Sequence, residues 1–393
     1  MVAAASVVVA VGTVTGMLSA LDEGRGSDEA ARPEVTSSPY LAPVPAASTP
    51  FASPGASESA SPSQKSQKSP KSPKSPNTSN SPKKKASSSP SPTKTEQREK
   101  QRPAPASARL YRHPDSQVLD WVRAHGGDPR HAVIASRIAD RPAAVWFADF
   151  TPSTITARVR AVTSAGAAQG RVPVLVPYAI PGRDCGGASQ GGAPGLAAYD
   201  AWIDDFAAGL GSGKVVVVLE PDSVAQAECL STGERSRRFA SLARAGRVLK
   251  AANPEARVYY DAGHSGWNAA AKQAGWLRQA GAASAASSDG IFSNVSNFHR
   301  TADEIAYDRR VLDALGGPAN LGAVIDTSRN GNGAPADGEW CDPAGRKLGR
   351  APTLNTGEPR IDGYLWVKLP GESDGCKGAP GTFTPSYAYE LAR

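Results

Sequence analysis

From Ser107 to Arg393, short apolar runs alternate with helical patterns, and no other feature limits the fold of this chain as strongly. Seven runs read as strands: Val145–Phe150, Val172–Ile180, Val215–Leu219, Arg257–Tyr260, Ile291–Phe298, Ala323–Ile325 and Tyr364–Val367. Helical signals lie between them. Tyr199, Trp202, Ile203, Phe206 and Leu210 recur at the spacing of one helix face. Thr301 and Glu304 have the spacing of a capping box ahead of Ile305, Leu312 and Leu315. Such alternation requires parallel strands joined by right-handed crossovers. Runs apolar at every position, such as Val215–Leu219, suit strands covered on both faces. The expected class is therefore α/β, a closed or nearly closed barrel, with an open doubly wound sheet as the alternative.

The chain before Ser107 has a different composition. Residues 2–21 carry no charge and are long enough for a membrane-spanning helix, and acids follow at Asp22, Glu23, Asp28 and Glu29. Residues 1–21 are read as a signal peptide or a membrane anchor, and either one implies export. Residues 22–106 are rich in Ser, Pro, Ala and Lys, with Lys-Ser-Pro repeats starting at Lys68, Lys71 and Lys74. Their few large apolar residues cannot offset chain entropy, so a disordered linker is expected, with residues 107–393 as the folded domain. The net charge of +7 is concentrated in this linker: residues 65–102 hold eleven Lys and Arg against two Glu. The folded part is close to neutral, which argues against a nucleic-acid partner.

Ligands of parallel α/β folds bind at the carboxyl ends of the strands. Here those ends are acidic. They read Tyr178 to Asp184-Cys185, Glu220-Pro221-Asp222, Asp261 to His264 and Trp267, and Lys368 to Glu372 and Asp374. Carboxylates gathered on one rim perturb one another, leaving some protonated and others ionised near neutrality. A proton donor facing a proton acceptor is what cleavage of a glycosidic bond requires. Other chemistries lack their parts. The chain has five His and only His264 lies among these acids, so a hydrolytic metal centre is not expected. No Gly-rich phosphate cradle follows a strand, and Asp326-Thr327-Ser328 is a poor single match to a paired-Asp protease turn.

Trp146, Trp267, Trp340, Trp366 and Tyr178 lie at or beside strand ends, where flat apolar faces suit pyranose rings. Trp202 and Trp276 lie on helices and read as core. The four cysteines, Cys185, Cys229, Cys341 and Cys376, allow three pairings. Pairing 185 with 229 and 341 with 376 would pin the acid-bearing loops, at roughly 2–4 kcal/mol for each link. A zinc site from all four is the rival, although no Cys-x-x-Cys is present.

The sequences Val-Pro-Tyr178-Ala-Ile-Pro-Gly-Arg-Asp184-Cys185, Leu-Glu-Pro-Asp222-Ser, Tyr-Asp261-Ala-Gly-His264-Ser-Gly-Trp267, Asn294-Val-Ser-Asn297, Glu339-Trp340-Cys341 and Trp-Val-Lys368-Leu-Pro-Gly-Glu372-Ser-Asp374-Gly together resemble glycoside hydrolase family 6. The resemblance spans about residues 108–393 and implies a distorted seven-stranded parallel barrel that cleaves β-1,4-glucan with inversion. By the same resemblance Asp222 is the general acid, Asp184 the neighbouring carboxylate that raises its pKa, and Asp374 the base, acting directly or through water. Asp261, Lys368 and Glu372 resemble supporting and sugar-binding positions, as do Trp146, Tyr178, Ser189, His264, Trp267, Asn297 and Trp340. Only a short segment, Cys376-Lys-Gly-Ala-Pro-Gly-Thr, follows Asp374 closely, which favours an open cleft and internal cleavage.

The sequence therefore reads as an exported, monomeric, inverting endo-β-1,4-glucanase that needs no metal or cofactor. Its partner is a β-1,4-glucan, and residues 2–21 are the segment that would contact a membrane. Alternatives are an exo-acting cellobiohydrolase and a non-catalytic glucan-binding protein on the same barrel.

Overall fold

The computed structural model describes residues 109–393. The signal or anchor reading of residues 1–21 and the linker reading of 22–106 lie outside them. Among the described residues no helix is long and apolar enough to cross a membrane.

The chain runs β1 (Arg109–Leu110), α1 (Gln117–Ala124), α2 (His131–Ile134), β2 (Val145–Phe147), α3 (Pro152–Ala168), β3 (Arg171–Val172), β4 (Val174–Pro177) and α4 (Leu196–Ala208). It continues through β5 (Val215–Leu219), α5 (Thr232–Ala252), β6 (Ala256–Asp261), α6 (Ala270–Gln279), β7 (Gly290–Ser293), α7 (Thr301–Leu315), β8 (Gly322–Asp326), β9 (Ile361–Leu365) and α8 (Pro385–Ala392). Seven parallel strands form one sheet in the order β2-β4-β5-β6-β7-β8-β9, while β1 pairs with β3 apart from it. The sheet curls into a half-barrel. Its outer strands β2 and β9 share no ladder, but Ala144 N–H donates to Trp366 O at 2.9 Å across the gap.

Strand alternation sorts the apolar residues into two layers. Val174, Val176, Val216, Val218, Tyr259, Phe292, Val324 and Leu365 fill the inside of the curl. The intervening Leu175, Val217, Leu219, Val258, Tyr260 and Ile291 meet the outer helices, where Tyr199, Trp202 and Phe206 of α4 pack. A third cluster, with Trp121, Ile138, Trp366 and Leu369, sits beside the gap.

Several expected elements differ in extent. The run Val172–Ile180 breaks at Pro173, which has no N–H to donate, and the sheet ends at Pro177. The run Ile291–Phe298 stops at Ser293, because Asn294 and Ser296 turn the chain at φ 64° and 59°. The capping box at Thr301 and Glu304 does not form: Arg300 is the N-cap, and Glu304 instead accepts from Ser265 N–H at 2.9 Å. A capping box does form at Ser231 and Glu234, ahead of α5. Trp366 is core rather than a sugar platform, 3% exposed with its indole on Arg350 O.

Cys185 is bonded to Cys229 and Cys341 to Cys376, so the loop after β4 is tied to that after β5, and the loop after β8 to that after β9. Trp202 has no exposed surface, whereas Trp276 is half-buried under Lys272 and Arg235. Trp202→Ala is expected to lower stability by about 3–5 kcal/mol, and Trp276→Ala by much less. Denaturant unfolding of the oxidised protein measures both, and equal losses would contradict the layer assignment.

Candidate active site

A cleft of about 1620 Å³ runs along the carboxyl ends of the strands, lined by the loops that leave them. Its geometry begins at the exit of β5. Glu220 and Asp222 both adopt left-handed backbone angles, φ 50° and 68°, around Pro221. Such angles cost on the order of 1 kcal/mol each for residues with a side chain, so the surroundings must hold them. Two buried carboxylates do this. Glu220 accepts from Ala179 N–H at 2.9 Å and Ile180 N–H at 2.9 Å, fixing the turn after β4. Asp261, the last residue of β6, accepts from Val224 N–H at 3.0 Å, Ala225 N–H at 2.8 Å and Gly263 N–H at 2.9 Å. The loop that carries Asp222 is thus clamped from both neighbouring strands.

Asp222 itself is left with little solvation. It is half-buried, and the Tyr178 hydroxyl donates to it at 3.3 Å. Burial, then the charge of Asp261, then that of Asp184 push its pKa up to about 7. The family resemblance assigns this effect to Asp184; the structure ranks Asp184 behind both burial and Asp261. Asp184 lies in a tight turn at φ 55° and accepts from Ser189 N–H at 2.8 Å and Ser189 Oγ–H at 3.0 Å. Ser189 Oγ in turn lies 2.9 Å from the Tyr178 hydroxyl, whose single proton serves either Ser189 or Asp222, so close polar contacts connect Asp184 through Ser189 and Tyr178 to Asp222.

The loop after β9 supplies the other wall. Asp374 pairs with the fully buried Arg329 at 2.7 Å and with Lys368 at 3.3 Å. Arg329 is held by Ser296 O and lies over the Phe298 ring at 4.4 Å. Beside them burial raises Glu372 to about 7, although Lys368 and Arg329 oppose the shift. Asp222 and Asp374 leave strands separated by β6, β7 and β8 in the sheet order, and the curl turns them toward one cleft.

Aromatic rings border the acids. Trp146 meets Tyr178 edge to face at 5.2 Å, Trp267 lies 5.2 Å from His264, and Trp340 is 57% exposed on the rim. His264 stacks on His299 at 4.1 Å, and burial together with that neighbour lowers its pKa to about 3, so it is a neutral donor or acceptor. Asn297, Ser189, Lys368 and Glu372 also line the cleft. Asp261 does not: it is 2% exposed and directed at backbone, beneath Asp222 rather than beside a sugar. Asp326 has a similar role, accepting from Ser296, Ser328 and Lys368 N–H groups. Sequence reasoning missed Arg329, Asp342 and Asp326 as parts of this architecture, and it placed Glu220 among the rim acids although that side chain is fully buried against backbone. Among the described residues no three His, Cys, Asp or Glu side chains are grouped so as to hold a metal ion.

Comparison with known proteins agrees with this geometry. The glycosyl hydrolases family 6 pattern matches residues 106–388. Endoglucanase 1 of Streptomyces sp. strain KSM-9 is 54% identical over 287 residues, 73% of this chain and 78% of that protein. Endoglucanase A of Thermobispora bispora is 50% identical over 284 residues, 72% of this chain but only 61% of its own length. The structure of an endoglucanase from Mycobacterium tuberculosis, in complex with methyl-cellobiosyl-4-deoxy-4-thio-β-D-cellobioside, superposes with a TM-score of 0.68 at 38% identity, covering 74% of this chain and 98% of that one. The half-barrel, its acidic cleft and the match along most of the folded part lead to one conclusion: this chain belongs to glycoside hydrolase family 6, a family of cellulases.

Proposed function

We propose that the protein is an exported, monomeric, inverting endo-β-1,4-glucanase, with Asp222 as the proton donor and Asp374 as the proton acceptor. The observation that carries this reading is the half-buried Asp222 carboxyl, which lines one cleft together with Asp374, an acid already paired with two cations. Asp222 gives its proton to the leaving glycosidic oxygen as the C1–O bond stretches. Water attacks C1 from the opposite face and loses its proton to Asp374, directly or through a second water. Tyr178, through its bonds to Ser189 and Asp222, sets the orientation of the donor. Trp146, Trp267 and Trp340 offer sugar platforms, with Ser189, His264, Asn297, Lys368 and Glu372 as polar partners. Asp261 acts from beneath, on the charge and position of Asp222.

Internal cleavage is supported by the rim. The segment after Asp374 is short, the Cys341–Cys376 bond pins it down, and Trp340 stands exposed above the cleft. Two disulfides favour an oxidising compartment, in line with export. The proposed organisation keeps residues 1–21 as a signal peptide or membrane anchor and 22–106 as a linker; N-terminal sequencing of the exported protein separates the two, because only a cleaved signal removes the first segment.

Asp222→Asn keeps the shape and removes the transferable proton. Activity on soluble cellulose should fall ~10²–10⁴-fold, with a far smaller loss on a substrate whose leaving group needs no protonation. Equal losses on both would remove Asp222 from the donor role. The alkaline limb of the kcat/KM profile should lie near pH 7, where Asp222 loses its proton. Asp261 rises only to about 6, so it is charged there, and its charge helps Asp222 keep the proton. Asp261→Asn should therefore move the limb to lower pH, and Asp184→Asn by less. The reverse order would contradict the ranking of the two neighbours.

Proton NMR during early turnover should show the new reducing end first as the α-anomer, and an initial β-product would overturn inversion. Viscosity of soluble cellulose should collapse while few reducing ends have formed. Steady cellobiose release at nearly constant viscosity would favour the cellobiohydrolase reading.

A further inference from the structure

The long connection between β8 and β9 brings Asp342 back against the exit of β9. It is 3% exposed, has a left-handed φ of 48°, and has no ion pair among the described residues. Its carboxylate is nonetheless saturated by a single turn. Oδ1 accepts from Asp374 N–H at 2.7 Å, and Oδ2 accepts from Ser373 Oγ–H at 2.5 Å, Cys376 N–H at 3.0 Å and Lys377 N–H at 2.9 Å. Ser373 Oγ then accepts from Gly375 and Gly378 N–H groups, each at 3.0 Å, which extends the same lattice around the turn. In return, Asp342 N–H donates to Asp374 Oδ2 at 3.2 Å. Burial works against ionising Asp342, yet these hydrogen bonds hold its pKa below the usual carboxylate range.

Both ends of Asp374, its backbone N–H and its carboxylate, are therefore gripped by one residue. Tethering the turn does not require this, because the Cys341–Cys376 bond already joins the two loops next to Asp342. What the carboxylate adds is direction. It fixes the rotation of the Asp374 peptide and brings Oδ2 to the point where Arg329 also donates, at 2.7 Å.

We propose that Asp342 is a positioning residue of the reaction, acting through Asp374 to hold the proton acceptor at its working place. This rests on the reading of Asp374 as acceptor. The pattern requires the charge: an Asn at 342 would keep the bulk but set an NH2 group, itself a donor, against donors of the turn. A misplaced acceptor slows the chemical step and leaves sugar binding intact.

The test is a mutant cycle on soluble cellulose with Asp342→Asn, Asp342→Ala, Asp374→Ala and the double Asp342→Ala/Asp374→Ala. Each oxidised protein is checked by thermal unfolding and by peptide mapping of the Cys341–Cys376 link. Both Asp342 variants should lose about 10–100-fold in kcat with KM nearly unchanged. The double variant should be no slower than Asp374→Ala alone, because Asp342 has nothing left to position. Losses that multiply in the double variant, a loss carried by KM, or unchanged turnover in Asp342→Asn would overturn the proposal. Should Asp342→Ala not fold, the same cycle run with Asp342→Asn separates the same outcomes. An Asp374→Ala protein with full activity would refute the acceptor reading itself, an outcome distinct from an impaired Asp374→Ala beside an unimpaired Asp342→Asn.

Discussion

Asp261 spends its whole carboxylate on backbone: three N–H groups, two from the loop after β5 and one from its own turn, converge on it. The remainder of the donor wall depends on this clamp. It stabilises the left-handed turn that lifts Asp222 into the cleft, and it leaves a negative charge beneath that residue. A buried carboxylate that accepts several N–H bonds is stabilised as an anion. Asp222, with one hydroxyl partner, has no such support, and the contrast between the two acids separates an anchor from the proposed proton donor. Burial raises both, but hydrogen bonds pull only Asp261 substantially back, to about 6.

The opposite wall is built on different physics. Asp374 is held by cations and by a reciprocal pair of hydrogen bonds with Asp342, and the loops that carry the two are joined by a disulfide. The two disulfides each link the loops of neighbouring strands, one pair on each wall of the cleft. Loops that would otherwise be the most mobile part of a barrel thus become a rigid frame. The curl of the sheet, left without a ladder between β2 and β9, lets the frame stand open along one side.

Much of this was legible in the sequence because β-barrel positions are repetitive. The unbroken run Val215–Leu219 matched its strand without error, and acids just past strand ends marked the cleft. What the sequence hid were residues whose role depends on side-chain direction. Asp261 ends its strand like a rim acid, yet it turns toward backbone N–H groups and away from the cleft. Glu304 has the spacing of a cap, but burial makes it the acceptor for Ser265. Trp366 sits among cleft residues in sequence and faces the core at the sheet gap. Arg329 and Asp342 come from the excursion after β8, where no strand pattern locates a residue in space. Long-range packing decides such cases, and a single chain of letters carries no local signal for it.

In the proposed mechanism catalysis depends on Asp222 keeping its proton near neutrality, because its half-buried carboxyl lies close to the charged Asp261. Carbon-13 NMR of side-chain carboxyls, with Asp222 assigned by comparison with Asp222→Asn, measures this in the resting protein without substrate. A midpoint near pH 7 is expected for that resonance. A midpoint near 4, the ordinary value for an exposed aspartate, would contradict it.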